Sequence, residues 1–358
     1  MDPVQRASLL ATKLRVLITD HSVVDPAWEL RLNPLVPVGF FAGAASLVGT
    51  RLFVLVEPST AERDPMDTEP SARPRPPRGW LGGAVVLAQR HGCTEVNLMG
   101  DMLSGDDARR ALRSIIPMRV WSIAGRVLTP VDAEDYLAPT AASVEVLAFE
   151  AAIVAAGADP VIEHGVLRAE VRGLEVARTQ VDPYDGITRL EVGVGRHDRL
   201  AQAMMNQGQN PALSLRNAVE SVLVHRRSGA SSHPANQIAV SRWLRHVVAA
   251  HPELVGCTAL TPLEGREVPE LKRLSAALLF GESGPGSGAG RTVVACSVGV
   301  DLDAAIDAVD AAVFLGAPRA VLCLPATYDF PAVRIVAGAL TMAVEVVLVA
   351  ADWADRTE

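Results

Sequence analysis

The sequence predicts an α/β protein built from an N-terminal α/β section, a middle helix-strand-hairpin-helix section and a C-terminal Rossmann-like parallel unit. Short apolar runs rich in Val, Leu and Ile alternate with segments of helical apolar spacing, the pattern of a sheet covered by helices. In the middle of the chain Pro183-Tyr184-Asp185-Gly186 separates two strand-like runs and signals a hairpin. The last part runs strand, helix, strand, helix, strand, the order of a parallel βαβ unit.

The elements follow in chain order. Residues 15–19 (RVLIT) and 52–56 (LFVLV) are expected as short buried strands ending at Asp20 and Glu57. Residues 58–79 carry Pro, Arg and acids with almost nothing apolar, so a flexible loop is expected there. A helix at WLGGAVVLAQRHG, a strand at TEVNLMGD, a helix at GDDARRALRSI and a strand at MRVWSIAG complete a section spanning 1–130. In the middle section, 131–255, residues 142–156 carry helical spacing, and 161–172, 173–182 and 187–195 are expected as strands. Helices follow at about 213–227 and 235–250. Pro262, Pro269 and the GESGPGSGAG stretch (281–290) mark 256–290 as a linker before the unit at 291–358. No repeat of solenoid type is visible.

Composition excludes several classes of chemistry. Only Lys13 and Lys272 are lysines among 33 basic residues, and neither stands in a P-loop, kinase, Schiff-base or Tyr-x-x-x-Lys context. Cys93, Cys257, Cys296 and Cys323 are far apart and without a CxxC pair, so they read as reduced, buried small hydrophobes. The N-terminal residues lack the features of a signal peptide, and the most apolar stretch, 333–351, is interrupted by Gly338 and Glu345. A cytoplasmic protein that does not enter a membrane is the expectation.

Charge is unevenly distributed. The chain carries −8 overall, which argues against a general nucleic-acid binder. Between Arg196 and His246, however, seven arginines (196, 199, 216, 226, 227, 242, 245) stand against Asp198 and Glu220. Of these, Arg196, Arg199, Arg226, Arg227, Arg242 and Arg245 are candidates for contacting an anion such as a phosphate backbone. The alternative is a pair of helix faces neutralised by acidic neighbours. Gly195-Arg196-His197-Asp198-Arg199 places a His beside an Asp at a strand end, where Asp198 also fits a helix cap.

Glu150 on the first middle helix, Gly173-Leu174-Glu175-Val176 opening one hairpin strand and Leu190-Glu191-Val192-Gly193 on its partner form one further constellation. In this order and spacing, residues 143–227 resemble the core of the PD-(D/E)XK nucleases. The resemblance implies Glu175 and Glu191 as catalytic carboxylates that hold Mg²⁺ or Mn²⁺ with Glu150, the metal activating water for attack on a phosphodiester. Glu163 and Glu170 are further carboxylates on the preceding strand. The sequence departs from the family where the motif lysine belongs, which is Gly193, and Val176 stands where some members place an aspartate. Arg178 or Arg196 supplies charge nearby, but arginine stays protonated and is a poor proton-transfer group. The departure implies a degenerate active site.

In the C-terminal unit Ser297 and Asp301 lie at a strand-to-helix junction, where such folds bind ligands, and Asp303 fits an N-terminal cap. Three functional expectations stand side by side. The first is a metal-dependent or degenerate nuclease-like protein acting on nucleic acid. The second is a non-catalytic binding or assembly protein with a protein partner. The third is an enzyme on a small phosphorylated ligand at Ser297 and Asp301.

Overall fold

The computed structural model describes residues 3–22, 32–35, 43–58, 76–138, 140–195, 198–201, 210–227, 233–264, 277–284 and 290–357. They form an α/β fold with three mixed or antiparallel sheets, in two compact units. One unit comprises Met1–Tyr136, Asp301–Asp310 and Phe330–Val344; the other comprises Leu137–Val300, Ala311–Asp329 and Glu345–Glu358.

The first unit is organised on a six-stranded sheet of β1 (Leu32–Leu35), β2 (Gly43–Val48), β3 (Arg51–Val56), β4 (Glu95–Gly100), β5 (Met118–Ala124) and β6 (Val127–Pro130), side by side in that order. β3, β4 and β5 are parallel; the outer strands are antiparallel to their neighbours. Residues 15–19 are not a strand. They belong to α1 (Pro3–Ser22), whose Leu10, Leu14, Leu17 and Ile18 recur at helical spacing and pack on Phe53, Leu55, Met99 and Trp121. A five-residue run with three β-branched residues, Val16, Ile18 and Thr19, hid that longer period. α2 (Trp80–Arg90) is buried from Trp80 through Ala88, which continuous apolar composition permits only to an interior helix. α3 (Gly105–Ala111) starts with a capping box between Ser104 and Asp107.

The second unit contains a four-stranded antiparallel meander of β7 (Asp159–Glu163), β8 (Val166–Val171), β9 (Leu174–Val181) and β10 (Thr188–Val192). The run 161–172, expected as one strand, is folded in two by His164 and Gly165, both with positive φ. Arg172 and Gly173 repeat that two-residue turn between β8 and β9. α4 (Val144–Leu147), α5 (Glu150–Ala155) and α6 (Pro211–His225) cover the apolar face through Val146, Ile153, Leu215, Val219 and Val222.

The same unit holds a five-stranded sheet in the order β11 (Cys257–Leu263), β12 (Ala277–Ser283), β13 (Arg291–Cys296), β14 (Arg319–Pro325), β15 (Val344–Val349). The segment 256–290, expected as a linker, supplies two of these strands, so the C-terminal strands belong to a mixed sheet. α7 (Val240–Ala250) packs on it through Trp243, Leu244, Val247 and Val248. α8 (Ala304–Leu315) and α9 (Pro331–Gly338) connect β13, β14 and β15. Most of the expected 58–79 loop (59–75), and 285–289 of the expected 281–290 linker, lie outside the described residues.

The chain uses one order of elements twice. α1-β1-β2-β3-α2-β4-α3-β5 and α7-β11-β12-β13-α8-β14-α9-β15 share helix and strand order and strand neighbours. In both, the first three strands are antiparallel and the third and fourth parallel. Gly92 and Gly316, each at φ 61, close equivalent helix ends. Ser114 and Leu340, each four residues before the last strand, form an antiparallel bridge with reciprocal Ile115-to-Ala339 and Thr341-to-Arg113 hydrogen bonds of 2.9 and 2.8 Å. The repetition lies in the order of elements, not in a sequence period, and the meander is inserted between the two copies.

Gly173 fixes how the meander meets α7. Its φ is +74, and a Cβ there would lie 2.3 Å from the Arg242 carbonyl group. Gly186 shares a positive φ (+69) but faces open space. Gly186→Ala is therefore expected to cost only the backbone term, about 1–2 kcal/mol. Gly173→Ala adds a collision with helix backbone and is expected to cost clearly more in urea-unfolding free energy.

Candidate functional site

The meander has one apolar and one charged face, as period-two alternation requires. A register shift between Ala169 and Glu170 puts one extra residue into β9. That bulge lets Val176 and Ala177 both join the core and leaves Glu175 and Arg178 on the same, charged face. Glu163, Arg168, Glu170 and Glu191 lie on this face too.

α7 lays Arg242 and Arg245, one turn apart, across it. Arg242 Nη1 and Nη2 donate to Glu170 and Glu163, both at 2.9 Å. Arg245 donates to Glu163 at 3.4 Å and, more closely, to Glu170. Burial alone would raise the Glu170 carboxyl, yet Arg245 and Arg242 outweigh it and hold it at about 2. Beside this four-charge box, Glu175 is 1% exposed and meets three guanidinium groups. Arg168 reaches it at 2.7 Å, Arg178 at 2.6 and 2.9 Å, and Arg199 at 3.1 Å. Burial again opposes ionisation, and the arginines, Arg178 foremost, still hold this carboxyl below its ordinary value.

The three carboxylates expected at a metal do not converge. Glu150 starts α5, which packs through Ile153 on the apolar face, opposite Glu175. Glu191 is half exposed, with Arg199 at 3.7 Å. Arg226, Arg242 and Arg245 are buried, and Arg227 is exposed; Arg196 and His197 lie outside the described residues. Arg226 is 0% exposed and donates to the carbonyls of Arg172, Ala235, Ile238 and Ala239 at 2.5–3.1 Å. Its Cζ lies 4.9 Å from the Trp243 ring centre, and burial pushes its pKa down to about 9. This arginine replaces missing hydrogen bonds at a chain crossing. The Asp198 side chain accepts a hydrogen bond from Val194 N at 2.7 Å, at the start of the helical residues around it.

A second charged network, in the first unit, was not read from the sequence. Asp303, Asp307 and Asp310 recur at helical spacing on or just before α8, and Arg109, Arg110 and Arg113 do so on or just after α3. Arg110 contacts Asp307 at 2.7 Å and Asp303 at 3.3 Å, and Arg109 and Arg113 meet Asp310 at 3.1 and 2.9 Å. Asp303 accepts from Gly82 N at 2.8 Å, so it caps α2 rather than α8. Asp301 is held by Arg78 at 2.6 Å. Burial, with Asp303 and Asp307 adding like charge, nevertheless pushes Asp301 up to about 6. Ser297 is buried, its N–H donating to Cys323 O at 2.9 Å.

Comparison with protein-family models, curated proteins and solved structures gives no match.

The Glu170 carboxyl titrates at about 2 folded against an ordinary 4.5. Its stabilising contribution is complete above the unfolded value and is lost as pH falls through the folded one. Chemical denaturation between pH 5 and pH 2 is expected to show this acid loss. Glu170→Gln should flatten that segment and cost about 3–5 kcal/mol at neutral pH by leaving two buried guanidiniums to share Glu163.

Proposed function

We propose that this is a non-catalytic binding or assembly protein, in which the conspicuous acids and arginines hold the fold together. The observation that carries this reading is the environment of Glu175. A carboxylate enclosed by Arg168, Arg178 and Arg199 has its charge balanced and its lone pairs occupied. A divalent cation would have to displace those guanidiniums and sit against their positive charge. Supporting it, Arg199, Arg226, Arg242 and Arg245 make their contacts inside the protein. A phosphate backbone would compete with buried carboxylates for them.

Calorimetry with Mn²⁺ and Mg²⁺, alongside cleavage assays on labelled single- and double-stranded DNA and RNA, tests the reading. Wild type and Glu191→Ala are expected to give the same heats and no cleavage. Glu175→Gln is expected to lower the melting temperature by several degrees without altering any metal response. Metal binding or cleavage that vanishes in Glu191→Ala, whose carboxylate is half exposed and whose removal leaves the fold intact, overturns it in favour of the nuclease reading.

A further inference from the structure

The three sheets present six edges among the described residues, and five carry features that discourage further strand pairing. β1 contains Pro34; β6 is four residues long and ends in Pro130. β7 contains Asp159, Pro160 and Glu163, and β10 contains Arg189 and Glu191. β11 contains Pro262 and a register shift between Cys257 and Ala259. Proline removes a ladder donor, charges resist desolvation, and irregular register twists an edge away.

β15 contains no proline and fewer charges than β7 or β10. Its sequence is VEVVLV, and its one charge, Glu345, is engaged by Arg319 of the neighbouring strand at 2.7 and 3.0 Å. It is a six-residue strand at the sheet border, and its Leu348 side chain is 42% exposed. The corresponding strand of the first copy, β5, is not left open: the chain turns through Gly125-Arg126 and lays β6 antiparallel along it. After β15 the chain instead enters a 3₁₀ turn at Trp353–Thr357, with Trp353 in the core.

We infer that the outer edge of β15 pairs with β15 of a second copy of this chain, antiparallel about a two-fold axis. The repeated architecture supplies the precedent, since the equivalent edge accepts an antiparallel strand. The sequence satisfies the symmetry. A two-fold through an antiparallel pair of identical strands places residues of one face opposite residues of the same face. Val344, Val346 and Leu348 therefore meet their own set, apolar against apolar. Edge-to-edge joining satisfies the outward N–H and C=O groups of both strands and makes one continuous sheet from two. This inference stands on the sheet edge and holds or fails independently of the reading above.

Light scattering after size exclusion, over a concentration series, tests it on the full chain. Wild type is expected to shift from monomer to twice that mass with concentration. The double variants Val346→Glu/Leu348→Glu and Val346→Lys/Leu348→Lys each place like charges across the axis and are expected to remain monomeric. An equimolar mixture of the two is expected to recover the dimer, an outcome that a misfolded variant does not produce. Hydrogen exchange of the 344–349 peptide in wild type should slow with concentration. A monomeric wild type at all concentrations, a dimer that persists in both variants, or variants whose mixture stays monomeric overturns the proposal.

Discussion

The box of Arg242, Arg245, Glu163 and Glu170 is the interaction on which the second unit depends. α7 has two buried sides. Trp243, Leu244, Val247 and Val248 turn to the five-stranded sheet, while Arg242 and Arg245 turn to the charged face of the meander. Apolar packing tolerates small slips, but buried charge does not, because a displaced guanidinium loses its partner and keeps its desolvation cost. The box therefore sets position and register as much as it adds stability. Gly173 allows the approach, and Arg226 ties the chain ends around it to four carbonyls.

The first unit uses the same chemistry between α3 and α8. Guanidinium groups suit this work because they stay protonated, are less strongly hydrated than ammonium groups, and present several donors in one plane. A chain with two lysines and many arginines is equipped to bury its cations. Thus the arginine-rich segment, which from sequence suggests an outward anion-binding surface, turns Arg199, Arg226, Arg242 and Arg245 to partners inside the protein.

Much of the architecture was legible. α2, β4, α3 and β5, and the strands and helices after residue 290, follow from periodicity because each buries a continuous run or a clear face. The hairpin at Pro183–Gly186 follows from turn chemistry. Other elements were hidden by local ambiguity. RVLIT is strand-like over five residues and helical only when Leu10 and Leu14 are counted with it. The His164-Gly165 turn was obscured because Val161, Ile162, Val166 and Leu167 continue the strand-like run on either side of it. β11 and β12 were obscured by prolines and glycines that suit an edge or its surroundings as well as a linker.

The sequence by itself determined the α/β class, the absence of lysine-dependent motifs, most helices and strands, and which carboxylates and arginines were candidates for chemistry. Only the tertiary structure decided what those charges do. Whether Glu175 faces a metal or three arginines depends on a one-residue bulge and on Arg199, 24 residues further along the chain. Whether Asp303 caps its own helix or α2 depends on a contact more than two hundred residues away in sequence. Local patterns record a residue's hydrophobicity and backbone preference. The partner of a charge is set by long-range packing, and the residue type alone does not encode it.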